Sequence, residues 1–309
     1  MYEKPDTDRQ QNIKPNLELR AEVIQAVRIF FAGQSYLEIE TPVRIPAPAP
    51  EAHIDAIESE DRFLHTSPEL CMKRLLASGY PRIFQICRCF RQKERGSRHI
   101  PEFTMLEWYR ANSDYFDMME ETEALIKHVA LKSGSGNSIK YQGGKINLDR
   151  PWARMTVAEA FDKYASISVK KALSDDLFDE TMAEIEPALG QSTPLFLYDY
   201  PASRGALAKL KSQYSLLAER FELYIGGLEL CNGFTELTDP VEQRVRFEKE
   251  LASRKKAGKR AYPMPEKFLE SLLHMPDASG NALGLDRLVM LFADAGKIDD
   301  VVAFTPEEL

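Results

Sequence analysis

With 309 residues, 44% of them hydrophobic and 28% charged, the chain has the composition of an ordinary soluble globular protein, which excludes a disordered, collagen-like or coiled-coil architecture. At this length folding can bury roughly 75% of the unfolded surface, enough for one large domain or two ordinary ones. Lys and Arg number 40 against 48 for Asp and Glu, so a net charge of -8 removes the overall positive field of a general nucleic-acid binder, and the longest apolar runs fall far short of the ~20 residues of a membrane span.

The N-terminus, Met1 to Asp6, lacks the apolar core of a secretory signal, and four cysteines (Cys71, Cys87, Cys89, Cys231) do not suggest a disulfide framework, so the chain reads as cytoplasmic. Residues 1–15 are polar with prolines at 5 and 15 and read as a flexible lead-in. Val23, Ile24, Val27, Phe30 and Phe31 then recur at helical spacing up to Gly33, and Tyr36 to Pro42 alternates as a strand. Ser67-Pro68-Glu69 has the order of an N-cap, first helical position and first-turn acid, opening a helix to about Ala77. Strand-like runs follow at 82–92 and 102–112, then at 194–200 and 219–231. Helical patterns cover 115–133, 156–164, 178–189, 240–257 and 264–273. Helices around adjacent strands, without alternating βαβ units, predict an α+β fold, and the absence of a linker after residue 15 predicts a single domain over 16–309.

Three stretches carry candidate chemistry. Period-two geometry puts Gln85, Cys87, Cys89 and Arg91 on one strand face, and Phe103, Met105, Glu107 and Tyr109 on one face of the next. The connection between them holds Lys93, Arg95, Arg98 and His99, which would suit a polyphosphate or form a solvated hairpin tip. Glu229 to Glu236 places two carboxylates and Asn232 in an otherwise apolar strand, where a bound cation or a strand end would satisfy them. Strict alternation puts Asn232 and Glu236 opposite Glu229, so a shared pocket requires a bulge or bend between them. Finally, Gly280 to Leu291 reads as a small-residue strand entering an apolar helix, with Asp286 as a candidate cap and Arg287 placed against the helix dipole, as for an anion contact or a surface ion pair. The Cys87 and Cys89 pair lacks a second ligand pair at zinc spacing and reads as buried free thiols. Arg254 to Arg260 reads as a solvated helix end, with a docking patch as the alternative.

Together these pieces resemble the three signature motifs of class II aminoacyl-tRNA synthetases: the helix and strand ending at Pro42, Phe90-Arg91 through Phe103, and Gly280 to Leu291. Thr66 to Leu70, Phe103 to Tyr109 and Asn232 to Leu237 further resemble the lysine branch. About 15 residues precede the first motif, where a lysyl-tRNA synthetase carries an OB-fold anticodon-binding domain, so no such domain is expected here. That length, with the 103–110 motif and Ala282 where the synthetases have glycine, is similar to the elongation factor P lysyltransferase family.

The resemblance implies a class II antiparallel sheet flanked by helices, and an ATP-dependent ligase that activates (R)-β-lysine or lysine as an adenylate and attaches it to a lysine of elongation factor P. Arg91, Glu229 and Arg287 would carry catalysis. Arg91 would hold the substrate carboxylate and α-phosphate, Phe103 and Arg287 would sandwich adenine, and Glu229 would bind Mg²⁺. Glu94, His99, Leu230 and Gly284 complete the ATP site. Ser67, Pro68 and Glu69 would meet the substrate amino end, Asn232 the carboxylate, and Glu236 and Tyr109 the ε-ammonium, with Glu107 and Ala282 lining the pocket. Two positions depart from the synthetase pattern: Lys93 stands where that pattern has glutamate, with Glu94 one residue later, and Ile100 replaces the asparagine after His99. A homodimer built on residues 17–42 is expected, and tRNA is not expected as acceptor. The competing readings are a free-standing lysyl-tRNA synthetase-like enzyme and a catalytically dead regulatory module.

Overall fold

A computed structural model describes residues 8–149, 151–211 and 216–309. In chain order, α1 (Asp8–Asn12) and α2 (Lys14–Gly33) lead into β1 (Leu37–Glu38), and β2 (Arg44–Ile45), β3 (Glu58–Ser59) and β4 (Arg62–Leu64) make a small sheet. Next come α3 (Glu69–Ala77), the long pair β5 (Arg82–Phe90) and β6 (Glu102–Ala111), α4 (Tyr115–Lys132), and the hairpin β7 (Ser138–Tyr141) and β8 (Gly144–Asn147). Then follow β9 (Ala153–Thr156), α5 (Val157–Tyr164), α6 (Val169–Ser174), α7 (Phe178–Ile185), β10 (Leu195–Pro201), β11 (Leu217–Ile225) and β12 (Leu228–Thr235). The chain closes with α8 (Pro240–Lys256), α9 (Glu266–Ser271), β13 (Ala278–Gly284) and α10 (Leu285–Phe292).

Eight strands form one sheet in the order β1-β5-β6-β13-β12-β11-β10-β9, antiparallel except where β1 joins β5 and β9 joins β10. One face carries Phe84, Leu106, Trp108, Cys231 and Leu283, which pack with α2, α4 and α10 into the main core. On the opposite face, a cluster from α3, α8 and α9 and a second from α5, α6 and α7 rise at two ends. The polar strip between those clusters is the floor of the site.

Several expectations change. Of the lead-in, residues 1–7 lie outside the described residues, but 8–12 and 14–15 are helical, joined by a turn at Ile13. Arg9 binds the carbonyls of Asp299, Val302 and Ala303, which anchors α1 to the C-terminal segment. The strand expected over 219–231 is two strands, because Gly226 and Gly227, both at positive φ, turn the chain into a hairpin. The apolar stripe assigned to a dimer interface is consumed internally: Val23, Val27 and Phe31 are fully buried, and Phe31 stacks on Phe84. Asp286 caps nothing; its carboxylate accepts from Arg20 Nη1 at 2.5 Å and from the Thr104 amide at 2.7 Å, tying α10 to α2 and β6.

Candidate active site

Register across the sheet assembles the floor. Gln85 on β5 faces Glu107 on β6, Glu107 faces Ala282 on β13, Ala282 faces Asn232 on β12, and Asn232 faces Glu222 on β11. One step along, Tyr109, Gly280, Phe234 and Arg220 form a parallel row. Directly opposed residues project to the same side, so residues distant in sequence share one surface. The bulge that a shared pocket demanded is present. Leu223 pairs with Cys231 but Tyr224 pairs with Glu229, leaving Leu230 as the extra residue and turning Glu229 toward the side of Asn232.

A cavity of about 330 Å³ lies over the β5–β6 end of this floor, and its wall includes Arg91, Glu94, His99, Phe103, Glu229, Leu230, Gly284 and Arg287. Every residue expected at the ATP site therefore lines one space. The Arg91 guanidinium stands 5.1 Å from the centre of the Phe103 ring and 3.8 Å from Glu94. Arg287 Nη1 donates to the carbonyl of Glu229 at 2.9 Å and to its carboxylate at 3.2 Å, while Nη2 meets His99 Nε2 at 2.6 Å. Burial and the Arg287 charge hold the His99 pKa below its ordinary value, so a neutral ring accepts that bond. At Gly284 the atoms nearest to a Cβ would be those of the Arg287 side chain, at 3.6 Å or more, which leaves the backbone open to a ligand.

A smaller cavity of about 80 Å³ adjoins it, with Ser67, Glu69, Glu107, Tyr109, Asn232 and Ala282 in its wall. Arg91, Asn232 and Ala282 line both spaces. Glu107 accepts from Tyr109 Oη at 2.5 Å and from Ser67 Oγ at 2.8 Å; burial, reinforced by the charge of Glu69, pushes its pKa up to about 8. Pro68 lines neither cavity; it is the residue from which α3 starts.

Glu236 is fully buried behind Gly280, whose absent side chain leaves room for its Oε1; a Cβ there would stand 2.6 Å from that oxygen. The expected picture of Glu236 awaiting a substrate ammonium was incomplete, because Lys73 Nζ lies 2.5 Å from Glu236 Oε2 and 2.5 Å from Glu69 Oε1. Burial works to raise the Glu236 pKa, and the charge of Lys73 opposes it. Lys73 was missed although its signal was present, since Glu69 and Lys73 are four apart on one helix. Arg220 was also missed: it donates to Asn232 Oδ1 at 3.0 Å and to Glu222 at 2.7 Å, and nothing in the local pattern of β11 marked it. Arg254, expected at a solvated helix end, is buried and donates to the carbonyls of Glu51 and Ile54, both at 2.8 Å.

Comparison with known proteins shows the family. Residues 2–308 match the family model of tRNA synthetases class II (D, K and N). Two relatives named elongation factor P–(R)-β-lysine ligase, from Vibrio atlanticus and Salmonella gallinarum, are 38% and 40% identical, over 93% and 94% of this chain and 94% and 95% of their own lengths. The chain belongs to the class II tRNA synthetases of the D, K and N group and, within them, to the elongation factor P–(R)-β-lysine ligase family.

Proposed function

We propose that this chain is an ATP-dependent ligase that activates (R)-β-lysine, or lysine, as an aminoacyl-adenylate and transfers it to a lysine side chain of elongation factor P, with residues 16–309 as its single catalytic domain. The observation that carries the reading is that Arg91 lines both cavities, between a nucleotide-sized space and a carboxylate-rich pocket.

Adenylate formation must bring two anions together, a carboxylate and the α-phosphate. In this reading Arg91 lies against both and offsets their repulsion, while Phe103 and Arg287 hold adenine, so that positioning and charge stabilisation replace a protein nucleophile. Arg287 would exchange its bond to Glu229 for the nucleotide. Glu229 offers the hard oxygen donors that Mg²⁺ prefers, and the bound ion would supply charge neutralisation at the phosphates. Glu94, His99, Leu230 and the bare backbone of Gly284 complete the nucleotide's surroundings. In the smaller pocket Ser67 and Glu69 meet the amino end, Asn232 the carboxylate, and Tyr109, Glu107 and Glu236 the ε-ammonium. The methyl of Ala282, between Glu107 and Asn232, fills space that an α-amino group would need and so favours the β-isomer.

A homodimer through the outer side of residues 17–42 belongs to this reading, with the exposed Ile29 and Leu37 as its apolar contacts in place of the buried stripe. So does a cytoplasmic location, consistent with four free thiols and with no helix among the described residues long and apolar enough to cross a membrane. A net charge of -8 disfavours tRNA as acceptor. The test is purified protein with ATP, labelled (R)-β-lysine or lysine, and either elongation factor P or tRNA. Label is expected on one lysine of elongation factor P. Efficient tRNA charging without such label would restore the lysyl-tRNA synthetase reading.

A further inference from the structure

Amide formation requires a neutral amine, yet a lysine side chain with an ordinary pKa near ~10.4 is almost wholly protonated at pH 7. Some group must take that proton, and none of the residues assigned above is free to do so. Glu107 is bonded to Tyr109 and Ser67, Glu69 and Glu236 share Lys73, Glu94 pairs with Arg91, His99 is bonded to Arg287, and Glu229 is the carboxylate that would hold Mg²⁺.

A third and larger cavity, about 670 Å³, opens beside the other two. It meets the nucleotide space at Glu51, Ile54 and Arg220, and the lysine pocket at Glu51, Ala206 and Leu207. Of the residues lining these three cavities, Glu51 alone lines them all. Once an adenylate fills the first two, the third is the approach left for an acceptor, and Glu51 stands where it meets them. Its carboxylate makes no hydrogen bond or ion pair among the described residues, while its backbone is held: the amide donates to Ala49 O at 2.9 Å, and Arg254 Nη1 donates to its carbonyl at 2.8 Å. An unengaged carboxylate on a fixed backbone is what a positioned base requires.

We infer that Glu51 is the general base of the transfer step, taking a proton from the acceptor lysine as that side chain enters through the outer cavity. The inference rests on the function proposed above. The acceptor ammonium gives one proton to the Glu51 carboxylate, and the freed nitrogen lone pair attacks the adenylate carbonyl carbon. A C–N bond forms, the bond from that carbon to the phosphate oxygen breaks with its electron pair leaving on AMP, and the second nitrogen proton goes to the departing phosphate. The surroundings suit the task. Burial, with the charges of Glu69 and Glu250 against those of Arg91 and Arg220, pushes the Glu51 pKa up to about 7, so the group both ionises and accepts a proton near neutral pH.

The experiment separates the half-reactions in the full-length protein. In Glu51→Gln, transfer of (R)-β-lysine to elongation factor P at pH 7 should fall by about 100-fold or more, the usual worth of a general base, while ATP–pyrophosphate exchange changes by less than about tenfold. The transfer deficit should narrow as pH approaches ~9.5, where the acceptor begins to deprotonate unaided, and should be small when hydroxylamine, already neutral at pH 7, replaces the protein acceptor. Glu51→Asp, which keeps a carboxylate, should transfer faster than Glu51→Gln. Transfer by Glu51→Gln within threefold of wild type, or an equal loss with hydroxylamine, or an equal loss in exchange, would each overturn the assignment. If wild-type enzyme makes adenylate but leaves elongation factor P unlabelled, the acceptor reading fails and this inference falls with it. If wild type labels the factor and Glu51→Gln does so equally, only this inference fails.

Discussion

Lys73→Met tests whether the substrate pocket is held together by an internal cation. Lys73 is 1% exposed, and its ammonium is the charge partner of Glu236, which is 0% exposed, and of Glu69. Removing it strands a buried carboxylate whose two oxygens have no hydrogen-bond partner among the described residues, and breaking such a pair costs about 3–5 kcal/mol. At roughly 2–4 °C per kcal/mol for domains somewhat smaller than this one, the melting temperature should fall on the order of 10 °C. Methionine fills most of the space, so little of the loss comes from a cavity. Two further readouts identify the charge as the cause. Lys73→Met/Glu236→Gln should recover about half the loss or more, because the stranded charge is gone. Lysine, whose own ammonium can approach the same carboxylate, should raise the melting temperature of Lys73→Met more than that of wild type. The assay is scanning calorimetry with and without lysine. A single variant melting within about 2 °C of wild type would refute the argument.

Arg91→Ala and Arg287→Ala should each lower ATP–pyrophosphate exchange by about 100-fold or more with melting temperatures near wild type, because both guanidinium groups face the nucleotide cavity rather than the core; near-normal exchange in either would misplace the ATP site. Ala282→Gly should shift the ratio of kcat/KM toward α-lysine by about tenfold or more, the worth of one methyl in a fitted pocket, and an unchanged ratio would remove Ala282 from isomer selection. The ligand-free protein should lose stability as pH rises. Burial raises Glu107 to about 8, so the folded state keeps a proton that the unfolded chain releases near pH 4.3, and its contribution, full below that value, is lost as pH climbs toward 8. Melting temperatures measured from pH 5 to 8.5 should therefore decline, and less steeply in Glu107→Gln; an equal slope in that variant would show that Glu107 is ionised throughout.

Local signals were sufficient for most of the long elements and for placing the candidate residues on them, but not for the short strands β2–β4 and β7–β9 or for the hairpin that divides 219–231. Period-two alternation put Arg91 on one polar face and Phe103, Glu107 and Tyr109 on another before any register was known, because side chains alternate in any strand whatever its partner. The same parity required a bulge or bend between Glu229 and Asn232, and the register of the folded sheet puts it at Leu230. Both the fold class and the family could be read from ordered motifs, since backbone geometry ties residue type to spacing over short distances. Long-range neighbours could not be read in this way. Nothing near Lys73 says that Glu236, 163 residues on, will be its partner, and nothing near Glu51 says that three cavities meet there. The stripe on α2 shows the same limit, for periodicity reveals an apolar face but not whether its own sheet or a second subunit covers it. Pairing between distant strands is chosen by the whole core at once, so the partners of a buried charge, and the route by which an acceptor reaches it, exist only in the folded arrangement.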